Sequence, residues 1–223
     1  MADSTRRKLR FLAGFAVYFG ALWFLWDTPA VYPLKIFVVL LHEISHALAA
    51  VATGGSLDRI VLDPRQGGAT LTMGGSRFLT LSAGYLGSLG WGSLMVAASR
   101  LPRIRSDILN GVIGVLVVAL TLLYVRSGFG IGFGALFGLA MIVSAKRLSV
   151  GLNRGLLLVL GLTSSLYAIL DIKSDILDRP ELQSDAFMLA EYTGIPTAFW
   201  GFLWIAIALA VTVMLFRWAY RRA

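Results

Sequence analysis

Pro33-Leu34-Lys35-Ile36-Phe37-Val38-Val39-Leu40-Leu41-His42-Glu43-Ile44-Ser45-His46-Ala47-Leu48-Ala49-Ala50-Val51-Ala52 is an apolar run broken at its centre by two histidines and a glutamate. These are the only histidines in the chain. The run is long enough to cross a bilayer as a helix. On a helix, residues four apart share a face. Both imidazoles can therefore reach one metal ion while Glu43 stands beside it as a base. Ionisable residues at membrane depth are costly and mark functional sites by default. The stretch sets two expectations, a membrane-embedded helical fold and zinc hydrolase chemistry inside it. The plainer reading, two histidines bridging helices by hydrogen bonds, gives the intervening glutamate no task.

Working outward, the whole chain has the same character. Its 223 residues are 57% hydrophobic and only 14% charged, with a mean hydropathy of +0.78. A soluble domain would carry about a quarter charged residues. The apolar residues cluster in long blocks with no dividing linker, so one integral membrane domain over residues 1–223 is expected, its core at about 30–216. The absence of cysteine removes thiolate ligands. With both histidines used, a third protein ligand is then expected to be a carboxylate. A net charge of +8 invites a nucleic-acid reading. The Lys and Arg residues flank apolar segments, however, and no basic stripe with interleaved aromatics occurs. Anionic lipid is the expected partner of that charge, and nucleic acid is not.

Seven apolar blocks are legible, at about 11–26, 30–52, 78–99, 107–125, 128–145, 151–171 and 197–216. The first follows a basic start (Arg6, Arg7, Lys8, Arg10) and resembles a signal peptide. Asp27-Thr28-Pro29 follows it without a small-residue cleavage site, so an uncleaved span is expected. Residues 53–77 break the pattern. Arg59–Asp63 and Ala69–Met73 read as short strands joined by a turn at Pro64–Gly68, a β-hairpin directly after the motif helix. The third block is rich in Gly and Ser, and the fifth has Gly130, Gly134 and Gly138 at four-residue spacing, both signs of close helix packing. Orientation is not set by charge, since ten of the twenty Lys and Arg residues fall on either side of a seven-span arrangement. The fold class expected is an all-α polytopic membrane protein of about six to seven transmembrane helices, with one short β-hairpin.

Half the chain's acids lie in or beside residues 172–196. Asp171 ends the sixth apolar block and could project into the bundle at the depth of the histidines. Asp175 is one helical turn further on the same face, and Asp178 continues it. Asp178 reads as part of a solvated helix end. Asp171 and Asp175 are the two candidates for the third metal ligand, because an uncompensated carboxylate there would be expensive. Asp175 could instead orient a ligand from behind.

With these pieces in place, the chain resembles the site-2 protease class of intramembrane metalloproteases, and more narrowly the M50B-like branch of the M50 peptidases. The residues that carry the likeness are Leu41 to Leu48, Thr53-Gly54-Gly55, Gly67 to Leu71, Ser82 to Ser88, Asp171 to Asp175 and Ser184-Asp185-Ala186. The resemblance implies one Zn2+ held by His42 and His46, water activated by Glu43, and an aspartate from a later span completing the site. That aspartate commonly sits in an Asn-Pro-Asp-Gly or Leu-Asp-Gly setting. Here Leu170-Asp171 is followed by Ile172, and no Asn-Pro occurs.

The function expected is therefore an intramembrane zinc endopeptidase acting on membrane-embedded or membrane-proximal proteins, with the cell membrane as its location. Two other classes share the fold signals: a non-proteolytic metal transporter or scaffold, and a zinc hydrolase of a lipid or small amide.

Overall fold

A computed structural model describes residues 2–26, 28–173 and 183–221 of the chain. The elements run α1 (Ala2–Leu25), α2 (Tyr32–Ala52), β1 (Ser56–Asp63), β2 (Gly67–Met73), α3 (Arg77–Arg100), α4 (Ser106–Tyr124), α5 (Gly128–Arg147), α6 (Val150–Lys173), α7 (Asp185–Thr193) and α8 (Thr197–Arg221). The protein is an all-α polytopic membrane protein with one antiparallel hairpin.

Among the described residues, six helices are long and apolar enough to cross a membrane: α1, α2, α4, α5, α6 and α8. Their outer faces show large apolar side chains, among them Leu116, Leu136, Leu139, Phe202 and Met214. In water such a surface would drive association, whereas in lipid it is the solvated face. The remaining apolar block, the third along the chain, forms α3, which has the length but not the hydropathy of the others. Its position explains this. α3 packs mainly against α2 and α6, so small and hydroxylated residues suit those faces.

Close helix crossings account for the glycines. A Cβ on Gly92 of α3 would lie 2.7 Å from the Gly161 carbonyl oxygen of α6, and one on Gly161 would lie 2.8 Å from that of Gly92. Gly114 of α4 and Gly138 of α5 repeat the arrangement, at 2.6 and 2.8 Å from each other's carbonyl oxygens. Only glycine permits such backbone contact. Polar bonds pin the α3–α6 crossing and tie α4 to α6 as well. Ser164 Oγ donates to the Ser88 carbonyl at 2.7 Å, and Asn110 Nδ2 of α4 donates to Asn153 Oδ1 of α6 at 2.9 Å.

α2 is the central helix, buried along most of its length. Pro33 sits in its first turn, where a missing N–H costs nothing. Behind it, Phe37 stacks on Phe137 of α5 with centroids 4.7 Å apart. The hairpin folds back over α2. Its strands are longer than the sequence pattern indicates, and the turn tightens to Pro64-Arg65-Gln66, with Gln66 at φ 70°. At the tip, hydrogen bonds from Arg65 hold the Asp63 carboxyl below its ordinary pKa. β1 is occupied on both edges. It pairs with β2 on one side. On the other, Arg126 N donates to the Ile60 carbonyl at 3.0 Å and Ser127 Oγ to the Leu62 carbonyl at 2.9 Å. Among the described residues β2 pairs only with β1, which leaves its outer edge open.

Candidate metal centre

Helical spacing on α2 places the His42 and His46 rings 4.6 Å apart, edge to face. A third group reaches them from α7. Ser184 caps that short helix by accepting from Phe187 N at 3.3 Å, and the cap fixes Asp185 in the first turn. Asp185 Oδ2 lies 3.0 Å from His42 Nε2 and 3.2 Å from His46 Nε2. The three candidate ligand atoms fall within 4.8 Å of one another.

These close approaches are not hydrogen bonds. Asp185 Oδ2 is buried and has no partner of hydrogen-bond geometry, although two ring nitrogens stand beside it. The atoms converge on a common point instead of bonding to each other, as ligands of one cation do. A buried carboxylate in this state is expensive unless a positive charge compensates it.

The surroundings set the ligands for that role. His46 Nδ1 is 2.6 Å from the Thr80 carbonyl oxygen of α3. Since a carbonyl only accepts, Nδ1 carries the proton, and the lone pair of Nε2 points into the site. The His42 ring meets Tyr85 edge-on at 4.8 Å, and Trp204 of α8 backs Tyr85 at 5.2 Å. The site's ceiling is the α3 backbone at Gly84. A Cβ there would overlap His42 Nε2 and lie 2.6 Å from His46 Nε2. The space before the two nitrogens thus exists because residue 84 has no side chain, and the residues present fit a small divalent ion. Gly84→Ala is expected to weaken zinc binding at least about tenfold without loss of helix content. Metal analysis and circular dichroism on the purified variant check this, and a zinc affinity equal to wild type would remove Gly84 from the site.

Glu43 is buried beside this group and is held by the hairpin. Thr70 Oγ1 of β2 is 2.8 Å from Glu43 Oε2 and 2.9 Å from the Glu43 carbonyl oxygen. Its one proton serves either oxygen at a time. A Cβ on Gly68 would lie 2.8 Å from the Glu43 carboxyl carbon, so the strand approaches the carboxylate as closely as backbone can. His42, Glu43, His46 and Asp185 all line one cavity of about 960 Å³, with β2 along its side. Lys35, nearer the start of α2, is also buried and lines the cavity, its Nζ 4.4 Å from the Trp26 ring centroid.

Of the carboxylates singled out from sequence, Asp171 lines the cavity wall but stands outside the converging group. The reason is geometric. α6 carries it along the cavity, whereas the chain returns through α7 to put a different aspartate over the histidines. Asp175, like Asp178, lies outside the described residues. Asp185 had a local signal, a serine cap ahead of the apolar run Ala186-Phe187-Met188-Leu189. Gly84 and Thr70 had none beyond their place in glycine-rich stretches.

The Peptidase M50B-like family matches residues 15–215, a range that contains all four cavity groups and the hairpin. No curated protein and no solved structure matches the chain. The match spans nearly the whole sequence, and the protein is an integral membrane member of the Peptidase M50B-like family.

Proposed function

We propose that the protein is a zinc endopeptidase that cleaves membrane-embedded or membrane-proximal proteins, with His42, His46 and Asp185 as the metal ligands and Glu43 as the general base. The observation that carries this is the convergence of two imidazoles and one carboxylate oxygen next to a buried glutamate, in a cavity inside a bundle of apolar helices. Two nitrogens and one carboxylate oxygen are a donor set zinc hydrolases use. Zinc bound there supplies a Lewis acid for the scissile carbonyl and lowers the pKa of water toward about 7.

The chain's own groups do the rest. Thr70 holds Glu43 through Oε2, which leaves Oε1 to take the proton from the attacking water. Glu43 then delivers that proton to the leaving amine. A substrate helix must unwind first, because its carbonyls are tied up in i→i−4 bonds. Its freed backbone then needs partners, which lipid cannot give. The open edge of β2 runs along the cavity and supplies them by strand addition. The other edge of the hairpin is closed by residues 125–127, so only the β2 edge is available.

The test is to incubate zinc-loaded protein with solubilised cell membranes, with and without a zinc chelator, and to map new protein N-termini by mass spectrometry. New termini within or next to apolar segments, absent under chelation, are expected. The same termini with and without chelator, or release of fatty acid in place of peptide, would overturn the reading.

A further inference from the structure

α1 stands off from the bundle it precedes. Tyr18 ties it down, its hydroxyl 2.6 Å from Thr163 Oγ1 and 3.2 Å from the Val159 carbonyl oxygen of α6. Phe15 meets Phe216 of α8 edge-on at 4.9 Å. Around these contacts a groove of about 600 Å³ opens between α1, α3, α6 and α8. Aliphatic residues such as Leu158, Leu162 and Leu215 line it, and among the described residues no acidic one does.

Two glycines keep it open. Elsewhere in the bundle, glycines such as Gly92 and Gly161 let backbones touch. Gly14 of α1 and Gly155 of α6 do the reverse. A Cβ on either would meet nothing within 4 Å, and both line the groove. Gly20, Gly90 and Gly132 also face open space. What distinguishes Gly14 and Gly155 is that they are walls of one cavity.

Its other distinctive feature is charge. Arg10 and Arg100 line the groove, and Arg100 is the last residue of α3. They lie at the end of the bundle where α8 finishes in Arg217 and Arg221, and where Lys8 sits 5.4 Å from the Tyr220 ring centroid. A row of cations at helix ends marks a headgroup layer. From Arg10 to Tyr18 the helix rises roughly 12 Å into the apolar region. Beyond Tyr18, Leu22 and Leu166 pack together and end the groove.

We propose that this groove binds an anionic glycerophospholipid. One acyl chain fills the trough between Gly14 and Gly155, and the phosphate sits between the guanidinium groups of Arg10 and Arg100. Guanidinium suits phosphate in charge and in hydrogen-bond geometry. The cationic headgroup of a zwitterionic lipid would find no carboxylate among the described residues that line the groove.

The experiment is native mass spectrometry of the full chain in mild detergent, with phosphatidylglycerol or phosphatidylcholine added at equal mole fraction. Wild type is expected to retain phosphatidylglycerol at least about tenfold over phosphatidylcholine. Gly14→Leu and Gly155→Leu each place a side chain in open space and replace glycine with a better helix former, so they keep the fold. Each should abolish retention. Arg10→Gln with Arg100→Gln should reduce phosphatidylglycerol to the phosphatidylcholine level. Equal retention of both lipids by wild type, or undiminished phosphatidylglycerol in both glycine variants, would overturn the proposal.

Discussion

Glu43→Gln should leave zinc bound and lower peptide cleavage by about 10²–10⁴-fold, the usual contribution of a positioned general base. The argument rests on what the substitution spares. Glutamine is isosteric with glutamate, and its amide oxygen can still accept from Thr70 Oγ1, so the hairpin contact survives. Glu43 is not among the three groups that converge on the candidate metal position, so removing its charge takes no ligand away. What disappears is the ability to accept a proton. Zinc stoichiometry and the rate of appearance of new N-termini, measured on the same preparation, separate these effects. A variant that holds zinc and cleaves at the wild-type rate would refute the base role. A variant whose metal flux or partner binding continues while wild type itself cuts nothing would favour a transporter or scaffold of the same fold.

The helices were legible because lipid imposes a strong rule. Every backbone group must bond within its own segment, so apolar blocks of sufficient length become helices. Each of the seven blocks coincides with one, within about five residues at the ends except for α1, which begins at Ala2, nine residues before its apolar block. The hairpin was legible from its glycines and its alternating strands. Its longer pairing, from Ser56 to Met73, was not, because a bulge between Leu57 and Arg59 breaks the alternation there. The packing of α3 was only half legible. Small residues announce close packing but not which neighbour is packed against.

The site divides in the same way. His42, Glu43 and His46 lie within five consecutive residues of one helix, and local geometry brings them together before any tertiary contact forms. Asp185 lies 139 positions beyond His46, on a helix of nine residues. Only the return of the chain after α6 places it over the histidines, and periodicity carries no information about such a return. Asp171 was the natural choice from sequence because it ends an apolar block. The cavity wall where it sits is the place that local reasoning could reach. Gly84 escaped notice for a related reason. A glycine that makes room for an ion and a glycine that makes room for a helix look alike in sequence, and only the two nitrogens facing its missing side chain tell them apart.

Asp185→Asn should strip the protein of zinc, while Asp171→Ala should keep it. Two imidazoles on consecutive turns of a helix can hold zinc only weakly without a third donor, and a structural or catalytic site needs at least three from the protein. Asn preserves the size of the side chain and its place in the first turn of α7 behind the Ser184 cap. It removes the negative charge that makes Oδ2 a good ligand. The loss of affinity should exceed the about 10–100-fold that follows from removing a group that merely supports a ligand. After dialysis against a weak chelator, wild type and Asp171→Ala should retain one zinc per chain, Asp175→Ala likewise, and Asp185→Asn far less. The folded bundle should persist in Asp185→Asn, since the exchange buries one neutral amide where a carboxylate stood between two rings. The opposite pattern, full zinc in Asp185→Asn with loss in Asp171→Ala, would return the ligand role to the end of α6. It would also require the chain after α6 to approach the histidines differently, because the oxygen now 3.0 Å from His42 Nε2 belongs to Asp185.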